Sequence, residues 1–277
     1  MRVNDAAVQA SDLLLSYGSV IAVNKSSFTI PAGSATAVIG PNGSGKSTLL
    51  NAIAGLHQPR SGSIDVPARA RGSHRIAYVL QTTKVSDALP ISVREVVAMG
   101  RYAEAGAYRP LSDRDRQAVT NAMDRTGISD LASKHLHHLS GGQRQRVFVA
   151  QGLAQDHDIL LLDEPLTGID LPTAQAIDSV IHDELNEGCT VIMTTHDLTE
   201  AQFADHVLLL SGRVVAAGPP DQVLTPEHLT DAYGPSLQHV GKGGIFIDDP
   251  AHKPVPGRHT HRELSIHTEP DPTDRHG

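Results

Sequence analysis

A glycine-rich loop with one lysine lies early in the chain. Residues 40–48 read Gly-Pro-Asn-Gly-Ser-Gly-Lys-Ser-Thr, which is the spacing G-x-x-x-x-G-K-S followed by threonine. Glycines let backbone N–H groups turn inward around phosphate oxygens, and a following helix adds the partial positive charge of its N-terminus. Lys46 would then reach the β- and γ-phosphates, and the Ser47 hydroxyl would ligate Mg²⁺. The pattern predicts a nucleotide-phosphate site built from Gly40, Pro41, Asn42, Gly43, Ser44, Gly45, Lys46, Ser47 and Thr48.

An acidic pair far downstream offers the second half of such a site. Asp163 and Glu164 directly follow Ile159–Leu162, a continuous apolar run that is typical of a central parallel strand covered on both faces. Ligands in open α/β sheets bind beyond the carboxyl ends of the strands, so both carboxylates are expected beside the phosphate loop. There Asp163 could hold Mg²⁺, and Glu164 is the better candidate for polarising an attacking water. The alternative is that the pair only caps a strand at the surface.

Two flanking segments must position the loop. Residues 35–39 form a short, partly β-branched apolar run that predicts a buried strand, and residues 48–54 have a helical spacing that stops at Gly55. Strand, glycine loop and helix thus occur in the order that a phosphate-binding loop requires. The alternative, a glycine-rich turn with a chance lysine, is disfavoured by this context.

Two further polar residues stand at predicted strand ends. His196 follows the run 191–195, where it could contact a γ-phosphate or the attacking water, and Gln81 follows the run 76–80. Taken alone, such a histidine is usually a satisfied polar residue and such a glutamine an exposed one. Only their position relative to the other strands makes them candidates.

The segment Leu139-Ser140-Gly141-Gly142-Gln143 precedes a helical run at residues 145–154 and offers a second helix N-terminus to anions. Together with the phosphate loop and the acidic pair, it makes the chain resemble the nucleotide-binding subunit of an ATP-binding cassette (ABC) transporter. The resemblance covers roughly residues 10–232. It implies an α/β fold, namely a P-loop NTPase core with a parallel sheet, an antiparallel β layer on the N-terminal side and an inserted helical subdomain.

The resemblance also assigns single residues. Ser140, Gly141, Gly142 and Gln143 would cover the γ-phosphate of an ATP bound by a second subunit, which implies a homodimer with two shared sites. The cofactors implied are ATP and Mg²⁺, the ion being held by Ser47, Gln81 and Asp163. The other implied roles are His196 on the γ-phosphate, Tyr17 stacked on adenine, and Asp170 in the loop that crosses the dimer interface. Residues 167–170 read Thr-Gly-Ile-Asp where the family commonly has Ser-Ala-Leu-Asp. Without the resemblance, Tyr17 would be interpreted as a half-buried strand aromatic.

The remaining segments predict the domain organisation. Residues 12–18 and 26–30 read as two short strands of the antiparallel layer, and residues 93–99 and 113–125 as helices. Ser112 and Asp115 suit a capping box at the start of the second helix. We expect an N-terminal extension at 1–9, an ATP-binding domain at 10–236 with its helical subdomain at about 85–140, and a flexible tail rich in histidine and proline at 237–277.

Composition disfavours several classes of protein. The chain has 277 residues, a formal net charge of -8 and one cysteine, Cys189, which is expected to be inert core without a disulfide partner. The charge argues against nucleic-acid binding. No apolar run approaches the roughly 20 residues that span a bilayer, and no signal peptide is expected. Attachment to the cytoplasmic face of the cell membrane would therefore come from an integral permease, with a solute-binding protein as a further partner.

The sequence leaves the cargo open. Residues 89–101 look most like importers of metal ions and also like importers of iron chelates and cobalamin. The tail contains the histidines His252, His259, His261, His267 and His276. They could bind ions such as Zn²⁺, or they could belong to a polar extension that binds no ion. The leading interpretation is the ATPase of a manganese or zinc importer, with an iron-chelate or cobalamin importer as the alternative. A soluble ABC ATPase of translation or DNA repair is a further alternative, although the chain lacks the second cassette or long coiled-coil insertion usual there.

Overall fold

The computed structural model describes residues 6–72, 75–81, 90–105 and 110–234, together with the backbone of two strands at 237–240 and 244–247. The chain divides into two compact units, residues 1–235 and residues 236–277. The first unit contains nine strands, which are β1 (Ala6–Tyr17), β2 (Val20–Pro31), β3 (Ala35–Ile39), β4 (Ser61–Asp65), β5 (Ile76–Val79), β6 (Ile159–Leu162), β7 (Thr190–Thr195), β8 (His206–Leu210) and β9 (Val214–Gly218).

The described helices of this unit occur in two groups. The longer ones are α1 (Lys46–Ala54), α3 (Val93–Ala105), α4 (Asp113–Arg125), α5 (Gly141–Leu153) and α6 (Leu171–Asn186); the shorter ones are α2 (Pro67–Ala70), α7 (Leu198–Gln202), α8 (Pro220–Val223) and α9 (Pro226–Tyr233). Among the described residues, none of these helices has the length and apolar character needed to cross a membrane.

A six-stranded sheet with the order β5-β6-β7-β3-β8-β9 forms the centre of the fold. Its first five strands are parallel, and β9 pairs antiparallel with β8. The strands expected before the phosphate loop and before the acidic pair are β3 and β6, with the predicted bounds. Their placement confirms a P-loop type α/β core, because β7 alone separates them and all three strands end at the same sheet edge.

A three-stranded antiparallel layer with the order β2-β1-β4 packs against one side of the core. The layer was expected from the sequence, but both of its long strands extend further than predicted. β1 already begins at Ala6, and Val8 is fully buried, so residues 6–9 belong to this layer and not to an extension. The prediction missed them because Gln9 and Ser11 interrupt the apolar pattern with exposed polar residues on the other face.

Two hydrophobic cores lie on opposite faces of the central sheet, and β6 contributes to both. Leu160 and Leu162 pack into the core formed with α3 to α6, whereas Ile159 and Leu161 pack into the core formed with α1 and the antiparallel layer. This alternation explains why β6 is apolar at every position. A strand covered on both faces has no solvent side to mark it with polar residues.

The helices of the first core agree with the sequence with two corrections. α3 was expected at residues 93–99, but it continues to Ala105. α4 has the predicted bounds, and its N-terminus carries the predicted capping box between Ser112 and Asp115. α5 was expected to begin near residue 145, but it begins at Gly141. The two glycines obscured this start because glycine is a poor helix former. A second capping box, between Ser140 and Gln143, provides the hydrogen bonds that begin the helix there.

One buried arginine joins the three helices α3, α4 and α5. Arg101 donates from Nε to Asp115 Oδ1 at 2.8 Å and from Nη1 to the Ala154 carbonyl at 2.9 Å. Hydrogen bonds from Ser112 and then from Arg101 lower the pKa of Asp115 to about 2. The neighbouring Gly100 lets α3 approach α5 closely. A Cβ at Gly100 would stand 2.2 Å from the Gln151 carbonyl oxygen.

Two short strands of the second unit lie within the segment 237–277 that the sequence predicts to be a flexible tail. Its described backbone forms an antiparallel pair, β10 (Leu237–Val240) with β11 (Gly244–Ile247). These strands contain Val240, Ile245, Phe246 and Ile247, β-branched and aromatic residues that favour strand pairing. The five tail histidines lie outside the described residues, as does Leu89 of the segment 89–101.

Candidate nucleotide site

The phosphate loop is shaped by close backbone approaches that exclude side chains. A Cβ at Gly40 would stand 2.0 Å from the Leu210 carbonyl oxygen. Gly45 has a φ of 103°, and a Cβ there would stand 2.6 Å from the Ala22 carbonyl oxygen. β8 and β2 therefore hold the loop from two sides, so only glycine fits at these two positions. The constraint comes from the backbone of distant strands and is independent of any ligand.

Lys46 lies within this loop at the first position of α1 and is only 6% exposed. Its Nζ donates to the carbonyls of Gly40 at 2.8 Å and Pro41 at 3.2 Å. Burial lowers the pKa of Lys46, while the nearby carboxylates of Glu164 and Asp163 oppose that shift. Among the described residues the buried ammonium has carbonyl hydrogen-bond partners, and it suits an incoming phosphate, which would offer it a full negative charge.

Ser44 offers a second sign that the loop fits an anion. Its Oγ is buried and has no hydrogen-bond partner among the described residues. A hydroxyl in such a position normally has a partner, and a phosphate oxygen would provide one. Ser47, the second residue of α1, is exposed, so its hydroxyl would be accessible to a metal ion bound with the phosphates.

The acidic pair is held by a residue that the sequence did not single out. Thr194, fully buried on β7, donates from Oγ1 to Asp163 Oδ1 at 2.6 Å and accepts from the Glu164 N–H at 2.8 Å. Glu164 has a φ of 48°, an uncommon left-handed conformation for a residue with a side chain. The single hydroxyl thus fixes both the buried carboxylate and the turn that presents its neighbour. A β-branched residue in a strand gave no signal of this role.

Gln81 lies next to the acidic pair. It is exposed just beyond β5, and its Nε2 donates to Glu164 Oε2 at 2.8 Å. Because β5 pairs with β6, the two strands carry these side chains to the same edge of the sheet. Because the amide nitrogen of Gln81 donates to Glu164, the amide oxygen of Gln81 is the atom that could ligate Mg²⁺.

His196 follows β7, which lies between β6 and β3, and its side chain is exposed at the same sheet edge. The strand end is stabilised by Thr195, whose Oγ1 donates to Glu200 Oε2 at 2.5 Å. Burial raises the pKa of Glu200. Glu200 is therefore another residue near the site that the sequence pattern did not reveal.

Tyr17 is at the end of β1, with 52% of its surface exposed. Its ring makes a tilted contact with the ring of His57, with 4.6 Å between centroids. His57 follows the end of α1, so the ring contact joins this helix end to the end of β1. An exposed ring that is not packed into a core can accept a planar base on its face.

Residues 140–143 lie at the N-terminus of α5, on a different part of the surface from the phosphate loop and the acidic pair. Ser140 and Gly141 are exposed at the N-terminus of α5, and the first-turn N–H groups of a helix have no intrahelical partner. A Cβ at Gly142 would stand 2.7 Å from Thr173 Oγ1 and 3.0 Å from Asp170 Oδ1. Residue 142 and Asp170 are thus neighbours, and the Thr173 side chain lowers the pKa of Asp170.

The family model described as ABC transporter matches residues 23–167, just over half of the 277-residue chain. The match includes the phosphate loop, residues 139–143 and the acidic pair. The chain belongs to the ABC transporter family. As a member of that family it is a nucleotide-binding ATPase.

Curated ABC relatives match most of the chain. YfeB of Yersinia pestis, named as a chelated iron transport system membrane protein, is 38% identical over 82% of this chain and 79% of its own. TroB of Treponema pallidum, named as a zinc transport system ATP-binding protein, is 39% identical over 82% and 87%. MntB of Bacillus subtilis, named as a manganese transport system ATP-binding protein, is 36% identical over 83% and 93%.

Solved ABC structures have the same fold. An ABC transporter in an inward-facing conformation aligns with a TM-score of 0.72 and 30% identity, over 83% of this chain and 89% of that one. A dimeric ATP-binding cassette bound to ADP and Pi aligns with a TM-score of 0.67 and 25% identity, over 77% and 98%.

Proposed function

We propose that this chain is the ATP-hydrolysing subunit of an ABC importer of divalent metal ions, manganese or zinc. The observation that carries the ATPase part is the cluster of Lys46, Asp163, Glu164 and Gln81 at one edge of the sheet. Support for the cargo comes from relatives that are named for manganese and zinc transport and match most of the chain.

Within the nucleotide site, we assign roles from chemistry and position. Lys46 binds the β- and γ-phosphates, and the backbone N–H groups of residues 40–48 surround them. Ser47, Gln81 and Asp163 would hold Mg²⁺, since all three offer the hard oxygen ligands this ion prefers. The bound ion would neutralise charge on the β- and γ-phosphate oxygens. His196 contacts the γ-phosphate, and Tyr17 stacks on adenine.

Glu164 is the proposed general base. Its carboxylate is held by Gln81 at 2.8 Å, and its backbone is held by Thr194 at 2.8 Å. This orientation lets it accept a proton from a water attacking the γ-phosphate. Asp163, by contrast, is 6% exposed and engaged by Thr194, which suits an ion ligand better than a base.

The signature of one subunit is proposed to complete the site of another. Ser140, Gly141, Gly142 and Gln143 begin α5 with a helix N-terminus open to solvent, which suits the γ-phosphate on a second copy. Asp170 contacts this segment from α6, so it would lie at the same interface. Two copies related by a two-fold axis would therefore bind two ATP molecules between them. The solved dimeric cassette supports such an assembly.

Closure of the dimer on ATP and opening after hydrolysis would drive the transporter, because the γ-phosphate contacts exist only before hydrolysis. We place the dimer at the cytoplasmic face of the cell membrane, attached to integral permease subunits that receive ions from a solute-binding protein. No nucleic-acid partner is proposed.

The variant Glu164→Gln tests the ATPase mechanism. It keeps the shape of the side chain but removes the base, so we expect ATP turnover to fall about 10²–10⁴-fold. Size-exclusion chromatography with ATP and Mg²⁺ should then show a trapped dimer. The exposed Glu227→Gln on α9 serves as the matched control and should turn over ATP like the wild type. Unchanged turnover in Glu164→Gln would remove this residue from the mechanism.

Uptake with the cognate permease in vesicles tests the cargo. We expect ATP-dependent accumulation of labelled Mn²⁺ or Zn²⁺, abolished by Lys46→Ala. Accumulation of a ferric chelate or of cobalamin without either ion would instead support the alternative, which the name of YfeB also keeps open. Failure of the chain to co-purify with any permease would favour a soluble ABC ATPase.

A further inference from the structure

Three metal-ligating side chains meet at the sheet edge opposite the nucleotide site. His157 precedes β6, Cys189 precedes β7 and Glu184 lies near the end of α6. One ligand atom from each lies within 4.8 Å of the others. Since a strand rises about 3.3 Å per residue, this edge is roughly 16 Å from Asp163 at the other end of β6. The cluster is therefore separate from the proposed Mg²⁺ ligands.

The cluster is buried, and a ring nitrogen of His157 lies close to the carboxylate of Glu184. The side chains of His157 and Glu184 are 5% and 4% exposed, and Cys189 is 7% exposed. His157 Nε2 lies 2.9 Å from Glu184 Oε2. Nε2 makes no hydrogen bond of regular geometry among the described residues, and its short contact with Glu184 is an ion pair when the ring is protonated. A buried ring nitrogen beside a carboxylate and a thiol can bind a metal ion in place of that proton.

The other ring nitrogen of His157 is already positioned as in a metal site. Nδ1 lies 2.9 Å from the Gln155 carbonyl oxygen, where it can donate its proton. Metal-binding histidines usually make such a bond with the nitrogen that does not bind the ion. The contact fixes the orientation of the ring, with Nε2 2.9 Å from Glu184 Oε2.

Burial disfavours a charged imidazole, yet Cys189 and Glu184 together raise the pKa of His157 to about 10. Burial raises the pKa of the Cys189 thiol. A divalent cation would replace the imidazole proton and deprotonate the thiol, releasing both protons to solvent.

We propose that His157, Glu184 and Cys189 form a binding site for a thiophilic divalent cation, Zn²⁺ by preference. A nitrogen, a carboxylate oxygen and a sulfur are its usual protein ligands, whereas Mg²⁺ and Mn²⁺ favour oxygen. Tetrahedral Zn²⁺ separates such ligands by roughly 3.3–3.8 Å, given its bond lengths of about 2.0–2.3 Å. The three ligand atoms already lie within 4.8 Å of one another, and the side chains would adjust from there to that geometry.

A cavity of about 500 Å³ provides access and a place for a fourth ligand. It is lined by the three cluster residues and also by Arg71 and Glu187, which are exposed, so it opens to solvent. A water molecule in this cavity would complete the coordination, as in zinc sites with three protein ligands.

The carboxylate of Glu184 is also oriented by a second contact. Its Oε1 accepts from Arg125 Nη1 at 2.8 Å, which leaves Oε2 for the ion. Arg125 is the last residue of α4, so an ion bound by Glu184 would connect the helices of the first core with the starts of two central strands. Zn²⁺ should therefore raise the melting temperature of the chain.

Cobalt substitution in the full-length, metal-free and nucleotide-free chain tests the site directly. Cys189 is the single cysteine, so a near-ultraviolet charge-transfer band from a thiolate to Co²⁺ must come from Cys189. Co²⁺ bound by the tail histidines would not give this band. We expect this band to saturate at one Co²⁺ per chain and to disappear on addition of Zn²⁺. A wild-type protein without the band would overturn the proposal, whatever the variants do.

Three variants, each checked for folding by circular dichroism, assign the ligands. Cys189→Ser should remove the band, and His157→Gln should weaken Co²⁺ binding about tenfold or more. His182→Gln is the matched control, because His182 lies on the same helix as Glu184 but is exposed. It should bind like the wild type. Wild-type affinity in a folded His157→Gln would remove that residue from the site and overturn the proposed ligand set.

Discussion

Thr194→Val is the sharpest test of how the acidic pair is held. Valine matches threonine in shape but replaces the hydroxyl with a methyl group. The change removes the hydrogen bond to Asp163 Oδ1 at 2.6 Å and the one from the Glu164 N–H at 2.8 Å, both at a fully buried position. A hydrogen bond to a charged group contributes about 1.5–3 kcal/mol and a neutral one about 0.5–1.5 kcal/mol. We therefore expect a loss of about 2–4 kcal/mol in the free energy of unfolding.

The same substitution should slow hydrolysis while leaving ATP binding nearly unchanged. The Glu164 turn would lose its support, and a misplacement of about 1 Å can reduce a rate about 10²-fold. Chemical denaturation measures the stability, and steady-state ATPase assays separate kcat from KM. Thr194→Ser, which keeps the hydroxyl, should recover most of both quantities. Wild-type stability and kcat in Thr194→Val would refute the inference that this hydroxyl holds the pair.

Three further predictions concern the helical layer and the signature. Gly100→Ala places a Cβ 2.2 Å from the Gln151 carbonyl oxygen, so thermal unfolding should show a loss of about 1–3 kcal/mol or more, and an unchanged melting temperature would contradict that contact. Asp115 has its pKa lowered to about 2, so its contribution to stability is present above about pH 4 and is lost as pH falls toward 2. Denaturation midpoints across this range should depend less on pH in Asp115→Asn. Gly142→Ala would press against Thr173 Oγ1 at 2.7 Å, so light scattering should show loss of ATP-dependent dimerisation in a chain that still binds ATP.

Much of the fold was predictable because its signals are local. The strand before the phosphate loop, the strand before the acidic pair and the helix α4 have the predicted bounds. Each is a short periodic or apolar run bounded by glycine, aspartate or serine. The start of α5 was predicted wrongly, and the β10-β11 pair was not predicted. The two glycines at the start of α5 disfavour a helix prediction, although a capping box begins the helix there. The β10-β11 pair has only eight strand residues, and the polar composition around them predicts a tail without strands.

The residues that support the site were not predictable in the same way. Thr194, Glu200 and Arg101 have types that are common in strands and helices, and only their partners give them a role. The same holds for Cys189, which the sequence predicted to be buried and which is indeed 7% exposed. That His157 and Glu184 lie beside it depends on how α6 returns to the sheet.

The sequence by itself therefore determined the chemistry of the phosphate loop, the acidic pair and the signature, because these depend on residue types at fixed short spacings. The tertiary structure alone decided which side chains meet across long sequence distances. Parallel strands bring Gln81 to Glu164, separated by 83 residues, and Thr194 to Asp163, separated by 31. Such contacts depend on the order and register of the strands. The packing of two cores on one sheet selects that order and register, and no local sequence pattern encodes it.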